Sequence, residues 1–65
     1  MILHLNGNPC EVEAGSLDAL LRELGVEPEA VATALNGEFV PRGERADTPL
    51  AAGDKVELLS PMQGG

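Results

Sequence analysis

Apolar and polar positions alternate through Met1–Leu5. Met1, Leu3 and Leu5 fall on one side and Ile2 and His4 on the other, the period of two of a half-buried strand. Cys10-Glu11-Val12-Glu13 repeats the pattern, with Cys10 and Val12 inward and both glutamates outward. Asn6-Gly7-Asn8-Pro9 lies between them, and two alternating runs around Asn-Gly predict a β-hairpin. Either Asn6-Gly7 or Gly7-Asn8 can be the turn centre. The two registers differ by two positions and leave the faces unchanged. Ala14-Gly15 then breaks the strand, and the period changes. Leu17, Leu20, Leu21 and Leu24 stand at i, i+3, i+4 and i+7, which predicts a helix with Arg22 and Glu23 off its apolar stripe. Ser16 is placed as N-cap, Asp18 suits the positive end of the helix dipole, and Gly25 is a natural C′ residue. Val26 is expected to pack back onto the helix end.

Glu27-Pro28-Glu29 reads as a linker or a short helical turn. Val31–Leu35 predicts a strand, Asn36-Gly37 a second hairpin turn, and Glu38–Val40 its return, ended by Pro41-Arg42-Gly43. Arg45–Leu50 reads as irregular and Ala51–Asp54 as a turn. Lys55–Leu59 is the last strand, with Val56 and Leu58 on one face and Glu57 and Leu59 on the other. The order is thus strand, strand, helix, strand, short strand, strand. A sheet this small must bury its apolar side under the helix. The last strand is expected to lie parallel to the first at the sheet centre. This is an α+β arrangement of the β-grasp, or ubiquitin-like, type, with a mixed sheet of four to five strands. A ferredoxin-like alternative needs a second full helix, which the stretch 42–52 does not supply. Residues 1–59 are expected to form the domain and 60–65 a flexible tail.

At 65 residues the chain is one domain near the lower size limit, and a domain of that size buries only about 60% of its unfolded surface. Tryptophan and tyrosine are absent and Phe39 is the sole aromatic, so the core must be aliphatic. Eleven acids against four bases give a net charge of −7. That charge repels phosphate backbones, which argues against nucleic-acid binding, and favours encounter with a basic cleft on a partner protein. Cys10 is the single cysteine, so no internal disulfide can form and a reducing compartment is expected. The first residues lack a basic run and a long apolar stretch, and no segment approaches the ~20 apolar residues of a membrane helix. A cytoplasmic location without membrane contact is the expectation.

Few side chains offer chemistry. His4, the one histidine, sits outward, where Glu11 or Glu13 could pair with it across the hairpin. Cys10 is patterned as a small hydrophobe. No Cys or His spacing fits a metal site, and Glu11, Glu13, Glu27 and Glu29 read as solvated charges. A self-contained enzyme is hard to build from this set. The distinctive group is the terminus, where Ser60-Pro61-Met62-Gln63 leads to Gly64-Gly65. Residues 61–65 span roughly 16–18 Å when extended, enough to thread a narrow cleft. A carboxylate is inert toward sulfur or amine transfer until activated, for example by joining it to AMP. Attack on the α-phosphate must be in line, and a terminal side chain would obstruct it; two glycines remove that obstruction. The competing reading is a frayed end.

Three stretches carry a resemblance: Asn36-Gly37-Glu38-Phe39-Val40-Pro41-Arg42, Gly53-Asp54-Lys55-Val56-Glu57 and Pro61-Met62-Gln63-Gly64-Gly65. Together they resemble the ThiS family, the sulfur carriers of thiamine biosynthesis, over essentially the whole chain. The resemblance implies a carrier rather than an enzyme, with no permanently bound cofactor. An ATP-dependent ThiF-like enzyme would adenylate Gly65. Sulfur from a cysteine persulfide, such as that of a cysteine desulfurase, would replace an oxygen to give a thiocarboxylate. Thiazole synthase (ThiG) would then take the sulfur. Pro61, Met62, Gln63 and Gly64 would be the tail the partners recognise. Alternation adds a docking surface. Ala32, Ala34 and Leu59 point away from the helix as a smooth apolar patch beside an acidic rim, and Phe39 joins it or belongs to the core. Arg42 serves a partner contact or simply ends its strand. Relatives that feed molybdopterin, tRNA thiolation or amino-acid synthesis, or that modify lysines, share the fold. A plain interaction module with an incidental diglycine remains the reading from another class.

Overall fold

Two Asn-Gly turns set the frame. In a computed structural model, which describes residues 1–60, Asn6 and Gly7 have φ of 50° and 86°, and Asn36 and Gly37 have 52° and 87°. Positive φ at both central residues is the mirror-image turn that matches the twist of paired strands. Strand β1 (Ile2–Leu5) therefore pairs antiparallel with β2 (Asn8–Glu11), Leu5 opposite Asn8, and Asn6-Gly7 is the turn centre. Likewise β3 (Ala32–Leu35) pairs with β4 (Glu38–Val40), Leu35 opposite Glu38. Strand β5 (Lys55–Leu59) enters between the hairpins, parallel to β1 and antiparallel to β3, so the five-stranded order is β2-β1-β5-β3-β4. The mixed sheet and its central parallel pair agree with the pattern-based expectation.

One helix, α1 (Leu17–Leu24), covers one face. The Ser16 Oγ accepts from the Ala19 N–H at 3.2 Å, a cap that contributes about 1 kcal/mol. At the other end Gly25 adopts φ 72°, and the Gly25 and Val26 N–H groups return to the Arg22 and Leu21 carbonyls. A Cβ is unfavourable in that left-handed conformation, so the helix stops there. Leu17, Leu20 and Leu21 are fully buried; Leu17 and Leu20 join Leu3, Val12, Ala14, Val40 and Val56 in the core. Each fully buried leucine contributes roughly 1.5–3 kcal/mol of transfer free energy.

Several local features depart from the pattern reading. A 3₁₀ helix, Arg42–Asp47, begins at the expected strand end and runs into the stretch expected to be irregular, and a bridge between Pro49 and Ser16 follows it. Thr48 C=O accepts from Leu17 N–H at 3.0 Å and Leu50 N–H donates to Gly15 C=O at 3.0 Å, so this crossover is stitched to the start of α1. Glu27-Pro28-Glu29, by contrast, agrees with the second of its two readings, since a short helical turn of 3₁₀ type spans Pro28–Ala30. His4 does not meet a glutamate. Its cross-strand neighbour is Pro9, while Glu11 takes the Met1 ammonium at 3.0 Å. Glu29 pairs with Arg42 at 3.1 Å. Glu23, off the apolar stripe, accepts from the Glu13 and Ala14 N–H groups and ties the end of the first hairpin to α1.

Arg45 is the least expected feature. It is only 3% exposed, yet no carboxylate faces it among the described residues. Its Nε donates to Thr33 Oγ1 at 3.1 Å, and Nη1 and Nη2 donate to the Pro28 and Val31 carbonyls at 2.9 and 2.8 Å. Thr33 in turn donates to Val40 C=O at 2.9 Å. The planar fork thus fastens the 3₁₀ crossover to the entry of β3.

Candidate functional site

The face of the sheet away from α1 carries the apolar side chains the core does not use. Ala32 lies opposite Leu59 across β3 and β5, and Ala34 lies opposite Phe39 across β3 and β4. Ala32 and Ala34 share one side of β3 by the period of two. These pairings bring the four expected docking residues together. Phe39 is 69% exposed and Leu59 58%, while the two alanines between them are half-buried. Phe39 therefore belongs to the patch and not to the core. Glu57, opposite Ala34, supplies an exposed acid at its edge. The result is a shallow, smooth surface with two large apolar knobs, the form that suits a protein partner.

Leu59 is also the last residue of β5, so the patch lies at the base of the tail. Ser60 is exposed. Pro61, Met62, Gln63, Gly64 and Gly65, the tail residues expected to be recognised and activated, lie outside the described residues. Arg42, left open between two roles, is exposed and paired with Glu29. Farther along β5, His4, Gly7, Lys55, Val56 and Glu57 line an open depression. Among the described residues no group of three His, Cys, Asp or Glu side chains is placed to hold a metal ion. Cys10 is half-buried against the core. Among the described residues no helix is long and apolar enough to cross a membrane.

The base of the tail has a support that pattern reading missed. Backbone pairing of β5 with β1 ends at Leu5 opposite Val56. Beyond that point the Asn6 side chain takes over. Leu58 N–H donates to Asn6 Oδ1 at 2.9 Å and Asn6 Nδ2 donates to Leu58 C=O at 3.4 Å. At the opposite end of β5, Lys55 N–H donates to Asn36 Oδ1 at 2.9 Å and Asn36 Nδ2 donates to Asp54 Oδ1 at 3.2 Å. Each turn asparagine thus holds one end of the central strand.

The model of the ThiS family matches residues 3–65. The sulfur carrier protein ThiS of Thermus thermophilus is 46% identical over 61 residues, covering 94% of this chain and 95% of that protein. A thiazole synthase of Magnetococcus marinus is 41% identical over 66 residues, covering all of this chain and 20% of that protein, so the chain spans about a fifth of its length. The crystal structure of the thiamine biosynthesis protein ThiS from Geobacter metallireducens is similar at 40% identity with a TM-score of 0.85, and the match covers both chains in full.

Proposed function

The chain belongs to the ThiS family, the sulfur carriers of thiamine biosynthesis, and on that premise we propose that its reacting group is the α-carboxylate of Gly65. A separate ATP-dependent, ThiF-like enzyme in the cytoplasm adenylates it: a carboxylate oxygen attacks the α-phosphorus of ATP and pyrophosphate leaves. The outer sulfur of a cysteine persulfide then attacks the acyl carbon and AMP leaves, giving an acyl disulfide. A second thiol cleaves its S–S bond, is itself oxidised to a disulfide with the donor cysteine, and releases the thiocarboxylate. Thiazole synthase is the acceptor. ATP is a substrate of the partner and not a cofactor of this chain.

The observation that carries this reading is the family match, which runs through the terminal Gly64-Gly65. Thiazole synthases that contain a stretch similar to this whole chain support the pairing of carrier and acceptor. The open-face patch supplies the docking area. Its position at the base of the tail lets a partner grip the domain while the last residues reach its active site. Leu59→Asp tests the grip. The side chain is more than half exposed, so the thermal midpoint is expected to stay within a few degrees. Placing a charge in the interface is expected to raise the KM for the carrier by about tenfold or more. An unchanged KM would remove the patch from the interface.

The decisive experiment incubates the chain with its adenylating enzyme, ATP and a persulfide donor and follows its intact mass. An oxygen-to-sulfur shift confined to Gly65 is expected. An unchanged mass under conditions where the enzyme is active would refute the proposal. Rescue of a thiamine auxotroph, set against rescue of a molybdoenzyme-deficient strain, separates the thiazole role from transfer to molybdopterin.

A further inference from the structure

Asn6 does more than shape a turn. Its φ of 50° lies in the left-handed region, which asparagine and glycine tolerate best. Glycine there would keep the hairpin. What glycine cannot supply is the carboxamide, whose two ends meet both backbone groups of Leu58. The Asn6 N–H also donates to Val56 C=O at 2.9 Å. The residue therefore extends the β1 side of the ladder by its side chain, over the stretch where β1 itself has turned away. Without it, the described partners of Leu58 and Leu59 lie on the β3 side alone. Leu58 is one residue from Leu59, where the strand ends.

We propose that Asn6 is a positioning residue for the carrier reaction: by holding the Leu58 backbone it fixes the direction in which the chain leaves the sheet toward Gly65. This rests on the carrier reading above and adds to it a residue remote in sequence from the tail. The patch residues govern how tightly a partner holds the domain, whereas Asn6 governs how often the terminus arrives in line with the nucleotide. Loss of its carboxamide should therefore act on kcat and leave KM largely alone.

The other turn provides the control. Asn6→Gly and Asn36→Gly each preserve a positive-φ turn and each delete one asparagine clamp on β5, but only the first is at the tail end. Both are assayed for adenylate formation with the adenylating enzyme and ATP at a temperature where both are folded, and amide hydrogen exchange is measured in parallel. Asn6→Gly is expected to lower kcat about tenfold with KM within about twofold. It is also expected to speed exchange at Leu58 by about tenfold or more. Asn36→Gly is expected to speed exchange at Lys55 and to leave kcat near wild type. Asn6→Asp keeps the acceptor for Leu58 N–H and should fall between wild type and Asn6→Gly. An Asn6→Gly chain with wild-type kcat, or slowed no more than Asn36→Gly, overturns the assignment. A wild-type chain that forms no adenylate overturns the carrier reading itself, and the role of Asn6 with it.

Discussion

Deleting Gly65 is expected to abolish thiocarboxylate formation while thermal unfolding stays where it was. The deletion moves the terminal carboxylate back by about 3.5 Å. Misplacement of a reacting group by even 1 Å can cost about a hundredfold in rate, so the truncated chain should fall at least that far below wild type. A tag joined to Gly65 goes further, because it turns the carboxylate into an amide with no oxygen free to attack phosphorus. Neither change touches a strand, since the last backbone pair of β5 is Leu59 with Ala32. Intact-mass analysis after incubation with ATP and the activating enzyme reads the first effect, and a melting curve reads the second. A truncated chain that still gains sulfur, or a tagged chain that still rescues a thiamine auxotroph, would place the reacting group elsewhere.

Arg45→Ala is expected to destabilise the fold by about 3 kcal/mol, because it strips donors from three acceptors and leaves a void at a buried position. For a domain of this size that lowers the thermal midpoint by roughly 15 °C. Arg45→Lys separates charge from shape. An ammonium keeps the charge, but it cannot reach Thr33 Oγ1 and the Pro28 and Val31 carbonyls from one fixed plane. It should recover less than half of the loss. Chemical denaturation of the two variants measures both numbers. If Lys matches wild type, the guanidinium fork is not what holds the crossover to β3.

Much of the fold was legible because local chemistry and tertiary demand agree. Asn36-Gly37 names its turn, Asn6-Gly7-Asn8 marks the first hairpin, and Ser16, the leucine stripe and Gly25 bound the helix almost to the residue. The alternation in Lys55–Leu59 put Val56 in the core and Leu59 outside. The choice between hairpin registers was not legible, since both keep the same faces; backbone geometry at Asn6 decides it. The 3₁₀ helix at Arg42–Asp47 was missed because Pro41, Gly43 and Pro49 read as breakers, and three-residue hydrogen bonding leaves no apolar period to detect. Arg45 was missed because a charged residue is almost never fully buried without a charged partner. Its partners are carbonyls, which every residue carries. The same holds for Asn6 and Glu23. Each serves the backbone of a distant segment, so no pattern of side chains announces it. At the site, alternation placed Ala32, Ala34 and Leu59 on the open face, and pairing across β3 and β4 then assigned Phe39 to it.

The central position of β5 has a mechanical consequence. A partner that draws the terminus into a cleft pulls on this strand along its own axis. Its hydrogen bonds to β1 on one side and β3 on the other then bear the load together, in shear, and do not peel one at a time. The tail can be put under tension without unravelling the sheet that bears it, so the domain can serve as a rigid handle through repeated cycles of loading and release.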